Sequence, residues 1–246
     1  MSNQMKRISF IFLILLLLAI TGPFVLNKIW QKSREGNKVN EQAVNEPKVV
    51  LRADDGTLIA ARPFLAEKSK RGAVIIHDLN QSRSDTRQFA EELAKTCKCS
   101  TIAVDLRGHG QSEGQQDFAN MYKDAEIAEK YLNLQSAKDV VYIGFGFGAH
   151  VALKAAEDVK APGAILVSPS ADDKGLNSAE TTVNYKGRIL LAASEADPDS
   201  NRMASKLFNM SKVSEKQYAE YKTGGHGIEM VYNTDLGKVI RDWLNK

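Results

Sequence analysis

The segment Val140-Val141-Tyr142-Ile143-Gly144-Phe145-Gly146-Phe147-Gly148-Ala149-His150 constrains this chain most. A β-branched run, three alternating glycines and an Ala-rich continuation read as strand, sharp turn and helix. In strand-to-helix turns of this kind, glycines flank a residue held on a strained backbone so that its side chain stands clear as a nucleophile. The central residue here is Gly146, which has no side chain to present. Gly144-x-Gly146-x-x-Ala149 also fits a dinucleotide-binding turn. That turn belongs at the first βα unit, whereas two such units precede this one. The next strand ends in Ser168-Pro169-Ser170 and not in a ribose-binding carboxylate. A third reading is a turn that only packs a helix closely on a strand.

The N-terminal region reads differently from the rest. Ile8 to Leu26 is uncharged over nineteen residues, about 28 Å as a helix and close to the thickness of a bilayer core. Lys6 and Arg7 before it also suit a signal peptide, but there is no Ala-x-Ala-like cleavage site and no cysteine for lipidation. The expected organisation is a membrane anchor over residues 1–30, a polar tether over 31–46, and one α/β domain over 47–246. Lys28, Lys32, Arg34 and Lys38 outnumber Lys6 and Arg7, which favours a cytoplasmic domain, yet long domains translocate regardless of such counts. The short basic head pulls the other way. The expectation is a single-pass cell-membrane protein with an extracytoplasmic domain. Cys97 and Cys99 leave the compartment open, since a pair one residue apart is poorly placed for a relaxed disulfide. The net charge of +3 is too small and too evenly mixed to suggest nucleic acid.

Along the domain, Val49 to Arg52 and Thr57 to Ala61 flank Asp54-Asp55-Gly56 and predict a hairpin. Ala73 to Ile76 predicts a strand buried on both faces, leading into His77-Asp78-Leu79-Asn80. Asp85 is placed to cap a helix carrying Phe89, Ala90, Leu93 and Ala94 on one stripe. Ile102 to Val104 is the next strand, running into Asp105-Leu106-Arg107-Gly108-His109-Gly110-Gln111-Ser112. Met121 to Leu134 is helical, and Ala149 to Val159 follows the glycine turn as another helix. Strands are expected at Ala164 to Val167, Ile189 to Ala192 and Tyr218 to Tyr221, with a closing helix from Leu236 to Leu244. Repeated strand–helix alternation implies a mostly parallel sheet between two helical layers, with ligands at the carboxyl ends of the strands. Gly146, His77, Asp197 and His226 all fall at those ends. The short link between the strands ending at Val167 and beginning at Ile189 leaves no room for a sizeable cap, so the site should be shallow and open.

From Val49 to Leu244 the chain resembles the α/β-hydrolase superfamily, especially the lidless bacterial branch related to dienelactone hydrolases and serine aminopeptidases. The resemblance is carried by His77 at the place of the family's His-Gly, the DLRGHGQS segment, the Gly146 turn, Asp197 after its strand and His226 in GGHG. The order nucleophile position, acid, histidine is that of the superfamily. The resemblance implies a three-layer fold without cofactor or metal, His226 as general base, Asp197 as its orienting acid, and the N–H groups of Leu79 and Phe147 as an oxyanion hole. Asp197 before Pro198 also reads as a turn initiator, leaving Glu195 or Asp199 as alternative acids. His77, His109 and His150 read as structural.

Two departures point away from acyl transfer. Gly146 stands where the nucleophile belongs, and Asp78 stands where the family has glycine, so that a carboxylate facing the site would oppose a developing oxyanion. Three functions stay open. One is a catalytically silent, membrane-tethered protein that binds a small acyl ligand or a protein partner. Another is a carboxylesterase-like ester or amide hydrolase working through residual or substitute chemistry. The last is a general-base enzyme built on an Asp197–His226 dyad.

Overall fold

The computed structural model describes residues 48–246. The anchor and tether expectations, and with them the membrane-spanning helix, lie outside these residues. Among the described residues no helix is long and apolar enough to cross a membrane.

Eight strands form one sheet: β1 (Val49–Arg52), β2 (Leu58–Phe64), β3 (Arg71–Ile76), β4 (Ser100–Val104), β5 (Asp139–Phe145), β6 (Gly163–Val167), β7 (Arg188–Ser194) and β8 (Lys216–Tyr221). Their order is β1-β2-β4-β3-β5-β6-β7-β8. The β1–β2 and β2–β4 pairs are antiparallel and every other pair is parallel. β2 runs on through Pro63, beyond the predicted end at Ala61. This is tolerated because Arg62 to Phe64 pair only with β4, β1 having stopped opposite Ala61, so the missing Pro63 N–H faces no ladder.

Among the described residues seven helices accompany the sheet: α1 (Arg83–Cys97), α2 (Met121–Leu134), α3 (Phe147–Asp158), α4 (Ser178–Asn184), α5 (Pro198–Met210), α6 (Glu229–Asn233) and α7 (Leu236–Leu244). Period-two alternation along β3 divides the core into two layers. Val74 and Ile76 pack with Met121, Leu132, Val151 and Leu207 of α2, α3 and α5. Ala73 and Ile75 pack with Phe89, Leu93, Ile240 and Trp243 of α1 and α7. Sequence periodicity did not reveal α4, α5 or α6. The signal for α5 was present in Asp197-Pro198, where Pro occupies the first helical turn and Asp197 caps it. At α1 the cap is Ser82, and Asp85 plays the reciprocal part of a capping box by accepting from Ser82 N at 2.8 Å.

The cysteine expectation is corrected. Lys98, between the two cysteines, adopts a left-handed conformation at the end of α1. This brings the Cα atoms of Cys97 and Cys99 to 5.3 Å, and the two are joined as a disulfide.

The strand order reverses direction between β3 and β5, and a crevice opens where the connections from these neighbours leave in opposite directions. Asp78 follows β3 and Gly146 follows β5, so the two departures from the family pattern face each other across that crevice.

Candidate functional site

Gly146 lies between β5 and α3 with φ 56° and ψ −120°, a left-handed backbone that disfavours any side chain. Close packing compounds this at the neighbouring Gly144, where a Cβ would sit 2.0 Å from the Gly148 carbonyl oxygen. At Gly146 an added Cβ would lie 2.0 Å from Asp78 Cγ. The Asp78 carboxylate therefore fills the space that a residue-146 side chain would take.

The carboxylate is held on both sides. Asp78 Oδ1 accepts from Leu79 N at 2.7 Å and from Phe147 N at 2.6 Å. These are the two N–H groups expected from the sequence to form an oxyanion hole, and both point at one oxygen, which belongs to the protein. Asp78 Oδ2 lies 3.0 Å from His226 Nε2, and His226 Nδ1 lies 2.5 Å from Asp197 Oδ2. Asp197, not Glu195 or Asp199, is thus the acid that meets the histidine. As N-cap of α5 it accepts from Ser200 N at 3.4 Å, at the positive end of the helix. Ser200 Oγ also comes to 3.3 Å from His226 Nδ1, a neighbour that sequence reasoning missed.

Charge follows from this geometry. Both ring nitrogens of His226 face carboxylates. The hydrogen bond to Asp78, reinforced by the one to Asp197 against partial burial, pushes its pKa up to about 9. At neutral pH the ring is an imidazolium donating from both nitrogens, with no lone pair to take a proton. Burial raises the pKa of Asp78, but hydrogen bonds from His226, Phe147 and Leu79 outweigh it and hold the group ionised below its ordinary value. Asp197 is lowered in the same way, with His226 and Ser200 overcoming burial. The histidine side chain is 43% exposed, whereas Asp78 is 16% exposed.

Because His226 is raised in the folded state, its contribution to stability is fully present below its unfolded value of about 6.5 and is lost as pH rises through about 9. Proton NMR titration should find His226 titrating near the upper value. Asp197→Asn and Asp78→Asn should each bring it down, Asp78→Asn more. Titration near 6.5 in the parent chain would mean that the three side chains do not meet.

The remaining histidines are structural. His77 Nε2 accepts from Leu106 N at 3.1 Å, and its Nδ1 faces the Asp78 carbonyl at 2.7 Å. It ties the DLRGHG loop to the loop that carries Asp78. His109 Nδ1 meets the Arg107 carbonyl at 3.0 Å. His150 is buried between Ser178 Oγ and the Ser170 carbonyl, each at 2.8 Å. The DLRGHG segment is scaffolding too. Asp105 Oδ1 accepts from Arg83 N at 2.6 Å, its other oxygen pairs with the Arg83 guanidinium, and buried Arg107 pairs with buried Asp124. Among the described residues no group of three or more His, Cys, Asp and Glu side chains is placed to hold a metal ion.

Residues 73–229, from β3 to the start of α6, match the sequence model of the alpha/beta hydrolase family. The chain belongs to the alpha/beta hydrolase family. A search of curated proteins finds no match. Solved structures similar to this alpha/beta hydrolase-family chain include an esterase of Pyrococcus furiosus, with TM-score 0.71 and 16% identity, covering 81% of this chain and 91% of that one. An Exiguobacterium antarcticum esterase has TM-score 0.66 and 13% identity over 81% of this chain and 100% of its own. Est1E of Butyrivibrio proteoclasticus, solved with ferulic acid, has TM-score 0.65 and 13% identity, covering 80% and 96%. At such identities the likeness establishes the fold.

Proposed function

We propose that this alpha/beta hydrolase-family chain is catalytically silent and works by binding a small acyl ligand or a protein partner, tethered to the cell membrane by its N-terminal segment. The observation that carries this reading is the Asp78 carboxylate, which takes the nucleophile's space, fills the paired N–H groups of Leu79 and Phe147, and keeps His226 protonated. Gly146 supplies no nucleophile, and the Asp78 side chain disables the other two parts of acyl transfer: no vacant oxyanion hole and no free base. In this reading Asp197 and His226 hold Asp78 in place instead of activating a serine. The Cys97–Cys99 disulfide supports an extracytoplasmic position for the domain, because such bonds persist in oxidising compartments.

A second reading, ester hydrolysis, is favoured by the family, by the esterases among similar structures and by the surviving Asp197–His226 contact. It requires water activated by neutral His226, and the same neutral ring is needed for a general-base enzyme. Both readings therefore place activity on the alkaline side, rising as pH passes about 9. The test uses the full chain with p-nitrophenyl acetate and a fluorophosphonate probe. The expected result is no labelled serine and a rate equal to that of His226→Ala. A labelled serine, or an alkaline-rising rate abolished in His226→Ala, would overturn silence in favour of hydrolysis.

A further inference from the structure

At the opposite end of the sheet, where β6, β7 and β8 begin, lies a pocket of about 650 Å³. That volume is within the range of small-molecule sites, roughly 300–1,000 Å³. Its lining includes Lys160, Lys186, Arg188 and Lys212, against a single carboxylate, Glu215.

Cations collect near helix C-termini for structural reasons, so the lysines must first be set against that explanation. The C-terminal carbonyls of α5 are served by Lys216, whose Nζ donates to Phe208 O at 2.9 Å and Ser211 O at 2.8 Å. At the end of α3 the chain closes on itself, with Lys160 N donating to Glu157 O and Ala161 N to Ala156 O. Arg188 is engaged as well, donating to Trp243 O at 2.8 Å and lying 3.9 Å over the Trp243 ring. Lys160, Lys186 and Lys212 do none of this. They are exposed, and among the described residues their ammonium groups have no hydrogen-bond or ion-pair partner.

We infer that this pocket is a binding site for a small polyanion carrying phosphate-type groups, held by Lys160, Lys186 and Lys212. Each ammonium is a compact charge with three donors, suited to the several oxygens of a phosphate. Concavity selects a small molecule over a flat bilayer surface. Pro162 and Val213, also in the lining, offer apolar contact to the remainder of such a ligand. The site is independent of the crevice at the other end, and its existence does not depend on whether that crevice is silent.

The probe is inorganic pyrophosphate, titrated by calorimetry at constant ionic strength into the full chain in uncharged detergent. Saturable one-site binding is expected, weakening as sodium chloride is raised. Lys160→Gln/Lys186→Gln/Lys212→Gln should lose at least tenfold in affinity, and Glu215→Gln should gain several-fold. The opposite sign of the Glu215→Gln effect separates a real site from damage to the fold. Absence of saturable binding to the parent chain, or equal affinity in the triple variant, would overturn the inference. So would lysine-dependent sedimentation with phosphatidylglycerol vesicles in the absence of pyrophosphate binding, which would make the patch a lipid contact.

Discussion

Gly146→Ser alone should remain inactive and melt at a lower temperature, whereas Gly146→Ser/Asp78→Gly should hydrolyse p-nitrophenyl esters at least about a thousandfold faster than either single variant. The single change drives a Cβ to within 2.0 Å of Asp78 Cγ and puts a side chain on a left-handed backbone. That backbone strain alone is on the order of 1–3 kcal/mol. Removing the Asp78 side chain as well does three things together. It makes room for the serine, frees the N–H groups of Leu79 and Phe147 for an oxyanion, and leaves His226 one carboxylate instead of two, so that its pKa falls toward the range of a working base. Fluorophosphonate labelling at residue 146 and a His226 titration report the chemistry and the charge separately. A folded double variant with His226 near neutrality but neither labelling nor turnover would sink this account of the site.

The largest loss of stability should come from Asp124→Ala. Asp124 is fully buried, accepts from Arg107 N at 2.8 Å, and pairs with an Arg107 guanidinium that is only 4% exposed. With Asp124 gone, the buried Arg107 charge keeps as its nearest carboxylate the half-exposed Asp55, 2.7 Å from its Nη1. Breaking a buried pair by removing one partner costs up to about 3–5 kcal/mol. For a domain of this size that corresponds to about 6–20 °C in melting temperature. Arg107→Met/Asp124→Leu should lose much less, since neither charge is then stranded. Calorimetry of the two variants is the check, and equal losses would show that packing, not charge, is the cause.

The fold was legible where burial imposes a period. β3 to β7 are continuous apolar runs, and α1, α2 and α7 carry stripes, so their existence and order follow from local sequence. The helices that periodicity did not expose are short or set by a cap: α4 has 7 residues, α6 has 5, and α5 is announced only by Asp197-Pro198. The site was legible as a set of residues, because strand ends place Gly146, Asp197 and His226 together and the family resemblance adds Leu79 and Phe147. Its electrostatics were not. Whether Asp78 faces water or turns inward is a rotamer choice settled by partners 69 and 148 residues away in sequence, Phe147 and His226. The disulfide was hidden for a related reason, since it depends on the left-handed turn at Lys98.

The carboxylate lodged beneath Leu79 N and Phe147 N gives this crevice the form of an esterase stalled with its acid product still bound. In a working esterase that acid diffuses away and the cycle restarts. Here the acid is a side chain whose backbone neighbours one of the two donors that hold it, so leaving is only a bond rotation and return is immediate. The tether gives it an effective concentration that free acids in solution do not match. Free acetate, which offers only the carboxylate that Asp78 already supplies, should therefore leave the His226 resonance of the parent chain unmoved. On the silent reading proposed above, product inhibition, a transient state in a working esterase, becomes in this chain a resting structure.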